Sequence, residues 1–253
     1  PKKIDDSWLL GQAINLLELI PKNTNIIGFS GGEPTLYKDD FVRLMKKTKS
    51  MLPHTKVDVL SNGRYFSAPS FARKVAAVDH PQLMFCIPLY SDDPVTHDYV
   101  VQSVGAYDET LDGILNLKAL GQKVEIRIVI HRQTIDRLEE TCEFIARNLV
   151  FVDHVALMGL EITGFTRANL EKLWIDPFKY KDQLSRAVAI LNRARIPTSV
   201  YNHQLCTIND DVLGNYQRSI SSWKNEYIEK CDKCDRRAEC GGFFSSSKKY
   251  RHS

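Results

Sequence analysis

Short runs that are apolar at nearly every position, separated by amphipathic stretches, constrain this chain more than any other feature. The runs cover residues 25–29, 56–60, 83–90, 123–131 and 154–161. A half-buried strand alternates apolar and polar residues. A run without that alternation predicts a strand buried on both faces, as in a parallel sheet covered by helices. The stretches 6–20, 39–52, 67–78, 107–120, 135–148 and 180–194 place apolar residues at helical spacing. Gly121 closes the fourth of these, as a glycine just past a helix end does. Strand and helix therefore alternate at least five times. That order predicts an α/β fold: a closed or partly closed βα barrel, or an open doubly wound sheet. The chain opens on a helix, so a barrel built from it lacks its first strand here.

The 253 residues suit one large α/β domain, or a domain of about 200 residues with a small appendage. From about Ile196 the alternation fades, and Asn, Cys, Trp and Lys recur irregularly. This divides a main body, 1–195, from a tail, 196–253. The tail also carries the charge. From Lys224 onward there are eight Lys and Arg against five Asp and Glu, so the whole net charge of +3 lies there. The patch is too mild for nucleic acid, and no apolar run approaches the roughly 20 residues that span a bilayer.

Of six cysteines, Cys86 and Cys142 stand alone, on a strand and a helix, and read as small core residues. Cys231-x2-Cys234-x5-Cys240, followed by Gly241-Gly242, reads as a thiolate metal site. Cys206 is the nearest fourth ligand. Zinc and iron–sulfur clusters both accept four thiolates, and spacing does not separate them. Cysteines crowded into one tail point to an intracellular protein rather than to a secreted disulfide scaffold.

Ser30-Gly31-Gly32-Glu33-Pro34 follows the first apolar run, at the strand end where α/β proteins build ligand sites. Glycines let backbone approach a ligand closely, and Glu33 offers an acceptor to a cationic group. A tight turn with a solvated Glu has the same spacing. Arg127 lies among Val and Ile, where an Arg needs a carboxylate partner from a ligand or from the protein. His97 and His131 end up near one loop face, where either a functional role or a hydrogen-bonded structural histidine fits, and the second reading is preferred.

Gly31-Gly32-Glu33-Pro34 after an apolar strand resembles the GGE motif of radical S-adenosylmethionine (radical SAM) enzymes. Ser61-Asn62-Gly63, Leu89-Tyr90-Ser91, Arg127 and Gly159-Leu160-Glu161 follow in the order of that family. The resemblance implies a partial (β/α)6 TIM-like barrel. It also implies that Ser30, Gly31, Gly32 and Glu33 hold the methionyl end of S-adenosylmethionine. Ser61, Asn62 and Ser91 would approach its ribose and carboxylate, Arg127 would meet the carboxylate, and Leu160 would border the adenine. The cysteine tail resembles the SPASM and twitch modules that hold an auxiliary [4Fe-4S] cluster, with Cys206, Cys231, Cys234 and Cys240 as its ligands and zinc as the alternative metal. With residues 159–165, Asn169, 173–177 and 240–244, it is most similar to the C-type member of the His-Xaa-Ser system radical SAM maturases. That implies a cytoplasmic enzyme that modifies a ribosomally made peptide, served by a partner maturase or peptide-delivery protein. The alternatives are a radical enzyme acting on a small molecule, and a non-catalytic binding protein with a zinc tail. One departure is large. The family holds its catalytic [4Fe-4S] cluster on a Cys-x3-Cys-x2-Cys loop, and no cysteine precedes Gly31. The expectation is a radical enzyme without its N-terminal segment. No substrate-side catalytic residue is assigned.

Overall fold

The computed structural model describes residues 8–218 and 225–247. Residues 6 and 7, where the first helix was expected to begin, lie outside them. Six strands follow one another in chain order across one sheet: β1 (Ile26–Phe29), β2 (Lys56–Leu60), β3 (Leu83–Pro88), β4 (Lys123–Ile130), β5 (His154–Gly159) and β6 (Thr198–Tyr201). The chain divides into two compact units. One holds residues 1–88 and 105–125, the other residues 89–104 and 126–253.

In the first unit β1 pairs with β2 in parallel, Ile26 opposite Lys56 and Phe29 opposite Val59. Parallel β2 and β3 place Val57 opposite Leu83 and Leu60 opposite Cys86. Val57, Val59, Phe85 and Ile87 are fully buried, as uninterrupted apolar runs require. β1 departs from that expectation, because none of its residues is fully buried and Ile26 is exposed. It is the outermost strand of the order, with β2 as its neighbour.

Helices α1 (Leu9–Leu19), α2 (Asp39–Met51), α3 (Pro69–Ala76) and α5 (Ala106–Ala119) belong to this unit. Phe41, Val42, Met45 and Thr48 form the buried stripe of α2, while Asp39 and Asp40 favour its positive N-terminal end. In α1 the helical spacing does not translate into burial. Leu17 is buried, but Leu16 and Leu19 are exposed. Gly121 ends α5 in a left-handed turn, with the Gly121 and Gln122 N–H groups donating to the Lys118 and Leu117 carbonyls.

In the second unit β5 pairs with β6 in parallel, Val155 opposite Thr198 and Met158 opposite Tyr201. α6 (Leu138–Asn148) and α9 (Lys181–Arg193) pack together, burying Cys142, Ile145, Leu184, Val188 and Leu191. Several elements that the sequence did not predict appear here. β6 extends the parallel order beyond the last expected helix. α4 (Pro94–Val101) begins at Asp93, whose carboxylate accepts from the Thr96 N–H at 2.8 Å. Val95 and Tyr99 of α4 are exposed and His97 is buried, so it shows no apolar stripe. The short α7 (Phe165–Ala168) and α8 (Leu170–Leu173) lie between β5 and α9. In the tail, β7 (Asn225–Glu226) pairs antiparallel with β8 (Phe243–Phe244). Among the described residues no helix is long and apolar enough to cross a membrane.

Candidate functional site

The loop leaving β1 presents bare backbone. Gly31 has φ of 133°, a conformation that favours glycine, and a Cβ placed on Gly31 or Gly32 would meet nothing within 4 Å. Both glycines are exposed. Ser30, Gly31, Gly32 and Glu33 line a cavity of about 390 Å³, together with Phe29 and Phe41. Backbone facing open space fits a ligand held by main-chain groups.

The Glu33 carboxylate is already engaged within the unit. Its Oε1 accepts from the Thr35 N–H at 3.1 Å, the Thr35 hydroxyl at 2.6 Å and the Ser61 hydroxyl at 2.8 Å. Its Oε2 accepts from the Asn62 N–H at 2.6 Å. The side chain thus latches the glycine loop to the loop after β2. Ser61 and Asn62 serve the same junction. Ser61 Oγ accepts from the Gly63 N–H at 3.1 Å, and Asn62 Oδ1 accepts from the Arg64 N–H at 3.0 Å. The Thr110 hydroxyl of α5 donates to the Asn62 carbonyl at 3.3 Å. Gly113 seats the helix there, since a Cβ on it would stand 2.2 Å from the Gly63 carbonyl oxygen. Thr35 is the member of this junction that sequence reasoning missed, although its place two residues after Glu33 is a local signal.

In the second unit, Ser91 is fully buried and its hydroxyl oxygen accepts from the Asp93 N–H at 3.1 Å. Asp92 pairs with both Arg137 and the Thr141 hydroxyl, pinning the loop after β3 to the start of α6. The Asp92 and Asp93 carboxylates hold the Arg137 guanidinium above its ordinary value. Arg127 is half-buried in β4, and its carbonyl accepts from the Leu89 N–H at 3.0 Å. His97 and His131 are buried. Each ring takes a backbone N–H on Nδ1, from Tyr90 at 3.3 Å and from Gln133 at 3.3 Å. The Tyr90 ring lies near both, its centroid 5.8 Å from His97 and 6.0 Å from His131. Burial depresses His131 to about 4, so it is neutral at neutral pH with its proton on Nε2. Leu160 lines a narrow cleft with Gly159, Trp174, Phe243 and Phe244.

Cys86 and Cys142 are buried. Burial pushes the Cys142 thiol far up, which leaves it an inert core group. The tail cysteines differ. Cys206 and Cys234 are exposed, and Cys231 and Cys240 are half-buried. Partial burial raises the Cys206 thiol, and the neighbouring Cys240, Cys231 and Cys234 push it the same way. Cys240 Sγ also accepts the N–H groups of Leu205 at 3.5 Å and Gly242 at 3.4 Å. Amide donors aimed at sulfur suit a metal-bound thiolate. Among the described residues no three or more His, Cys, Asp or Glu are placed so that together they could hold a metal ion. The donor set is all sulfur, and it fits a thiolate centre by chemistry.

A family model for the radical SAM superfamily matches residues 8–145. The chain belongs to that superfamily. Members are enzymes that cleave S-adenosylmethionine, and the family uses that cofactor with a [4Fe-4S] cluster. Among solved structures, SuiB of Streptococcus suis bound to S-adenosylmethionine is 17% identical, with a TM-score of 0.56 over 69% of this chain and 39% of that one. anSMEcpe with bound AdoMet gives 14% identity and a TM-score of 0.57 over 77% and 54%. Coproporphyrinogen III oxidase (HemN) of Escherichia coli gives 17% and 0.55 over 75% and 46%. The chain thus spans about two fifths to half of these relatives. At such identity they show the fold alone, which is the α/β radical SAM fold expected from the sequence.

Proposed function

We propose that this chain is part of a radical SAM maturase that modifies a ribosomally synthesised peptide, of the His-Xaa-Ser C-type. The observation that carries the reading is the cysteine tail. Four cysteines fall within the tail, two of them as Cys-x2-Cys, and the Cys240 sulfur accepts two backbone N–H groups. A tail of this kind argues against the small-molecule alternative. The SuiB fold has been seen bound to its precursor peptide SuiA, and anSMEcpe with a bound peptide, which supports a peptide substrate. A partner maturase or a peptide-delivery protein accompanies that role.

Ser30, Gly31 and Gly32 would hold the methionyl end of S-adenosylmethionine through their backbone. Glu33, Ser61 and Asn62 shape that loop from behind. Arg127 would meet the cofactor's carboxylate, Ser91 would support the loop beside it, and Leu160 would border the adenine. When bound, the cofactor and a reduced cluster supply the radical, and the protein confines it. This sequence has no cysteine before Cys86, so ligands of the catalytic cluster would come from outside it. Cys206, Cys231, Cys234 and Cys240 would hold the auxiliary [4Fe-4S] cluster. The net charge of +3 from Lys224 onward offsets the negative charge of a cluster held by four thiolates. Such a centre persists in a reducing compartment, which supports a cytoplasmic location.

The test is iron, zinc and acid-labile sulfide analysis of anaerobically purified protein. Iron and sulfide in equal amounts, lost together when Cys231 and Cys234 are changed to Ser, are expected. Zinc without sulfide would sink the cluster reading and favour the binding-protein alternative.

A further inference from the structure

The loop after β2 carries more hydrogen-bond donors than the protein uses. It leaves the strand through a left-handed Gly63, with φ of 79°, and enters a short helical turn (Arg64–Ser67). Asn62 Oδ1 accepts from the Arg64 N–H at 3.0 Å, which assigns the other end of that amide, Nδ2, as a donor. Arg64 Nε donates to Glu109 in the first turn of α5, where the helix end favours an acidic residue. That bond occupies one side of the guanidinium. Its outer edge, with the two terminal NH2 groups, has no hydrogen-bond partner among the described residues. The same holds for Asn62 Nδ2 and for the hydroxyls of Tyr65 and Ser67.

These four residues line one open groove of about 480 Å³, together with Leu36, Glu33 and Glu109. All of them belong to the first unit. Both acids of the groove are already engaged. Glu33 takes four donors, and Glu109 takes Arg64. Lys38 is exposed and stands in no ion pair among the described residues, with its Nζ 5.6 Å from the centre of the Tyr65 ring. The uncommitted polar groups are therefore mainly donors and cations, and the Leu36 side chain and the Tyr65 ring add apolar surface beside them. A guanidinium edge with two parallel N–H groups matches a carboxylate, whose two oxygens accept one each. The remaining lone pairs of such a carboxylate suit neutral donors such as an amide NH2 and two hydroxyls. Glu33 also lines the cavity of the glycine loop, so the two spaces share it as a wall.

We propose that this groove binds an acidic side chain of the peptide that the enzyme modifies, with the outer edge of Arg64 holding the carboxylate and Asn62, Tyr65 and Ser67 completing its hydrogen bonds. The proposal rests on the reading of the substrate as a peptide. The shared wall sets that acidic residue beside the loop proposed for the methionyl end of the cofactor, so the groove fixes the register of the peptide against the reacting centre.

The experiment titrates the isotope-labelled full chain with acetyl-Glu-Glu-Glu-amide, with acetyl-Gln-Gln-Gln-amide and with inorganic phosphate. Nuclear magnetic resonance follows the Asn62 side-chain amide and the Arg64 Nε–H. The Glu peptide should bind saturably and shift both signals, and added salt should weaken it because the groove is open. The Gln peptide should bind about tenfold more weakly, the size of one hydrogen bond to a charged group. Arg64→Gln should weaken the Glu peptide by about the same factor. Arg64→Lys keeps the charge without the fork and should lose most of that factor too. The Arg64–Glu109 pair is partly exposed and contributes little to folding, so both variants should stay folded, which thermal unfolding checks. Ser67→Ala should cost about two- to threefold. Equal binding of the Glu and Gln peptides, or wild-type affinity in Arg64→Gln or Arg64→Lys, overturns the proposal. Phosphate binding tighter than the Glu peptide also overturns it and assigns the groove to a phosphate. Iron and sulfide in the tail with no binding of the Glu peptide removes the groove and leaves the maturase reading standing. Binding that depends on Arg64 in a chain holding zinc without sulfide removes the maturase reading and keeps the carboxylate site.

Discussion

Changing Glu33 to Gln tests whether its carboxylate faces a ligand or holds the protein together. Oε1 carries three bonds, from Thr35 N–H, Thr35 Oγ1 and Ser61 Oγ, and Oε2 carries one, from Asn62 N–H. A glutamine keeps the three by leaving its oxygen at the Oε1 position. Its NH2 then meets the Asn62 N–H, so two donors face each other. Hydrogen bonds to a charged group contribute about 1.5–3 kcal/mol each, and the three retained bonds weaken to neutral strength. Glu33 is only half-buried, so water offsets part of the loss. The expected cost is about 2 kcal/mol for Glu33→Gln and about 3 kcal/mol for Glu33→Ala. Urea unfolding measures the stability, and equilibrium dialysis of S-adenosylmethionine measures binding. Both variants should lose stability, and affinity should fall with it as the glycine loop loosens. Stability unchanged within about 0.5 kcal/mol together with lost affinity would refute the latch, because it would mean that the carboxylate meets the cofactor directly.

Gly113→Ala should cost about 2–4 kcal/mol in urea unfolding, because the new methyl group would meet the rigid Gly63 carbonyl at 2.2 Å. A loss below about 0.5 kcal/mol would show that α5 shifts freely. Acid should also destabilise the protein through its buried histidines. His131 and His203 are both depressed by burial to about 4, from 6.5. Above pH 6.5 each is neutral in both states and contributes no pH dependence. As the pH falls from 6.5 towards 4 the unfolded chain gains protons that the folded one refuses, so stability falls by up to about 1.4 kcal/mol per pH unit for each histidine. His131→Gln should remove its share of that slope in unfolding measured between pH 7 and pH 4.5, and an unaltered slope would place the protonation elsewhere.

The elements that sequence revealed are those whose signal is local. β2 spans residues 56–60, as its apolar run does, and α2, α5, α6 and α9 fall within a few residues of their periodic stretches. Helix α4 escaped because its buried residue is a histidine and its Val95 and Tyr99 face solvent, although Asp93-Pro94 is a capping signal. Strand β6 escaped because Thr198-Ser199-Val200-Tyr201 is too polar to read as a buried run. Its burial comes from neighbours and not from its own composition. In α1 the error ran the other way, since the spacing specifies a helix but cannot say what covers it.

The glycine loop and the cysteine tail were legible because their chemistry depends on residue type at short spacing. Two glycines supply bare backbone, and Cys-x2-Cys supplies paired thiolates. The contacts those residues make in the fold are ones that no spacing encodes. Glu33 reads as an acceptor for a cation, and in the fold Ser61 and Asn62, 28 and 29 residues away, also donate to its oxygens. Cys240 reads as equivalent to Cys231 and Cys234, and in the fold the Tyr227 hydroxyl donates to its carbonyl while the Tyr216 hydroxyl oxygen, 25 residues from Gly241, accepts the Gly241 N–H. Sequence by itself determined the family, the order of strands and helices and the supply of ligands, because these follow from local periodicity and composition. Only the tertiary structure decided which polar groups were already satisfied, because a hydrogen bond depends on where two distant strands set down their ends.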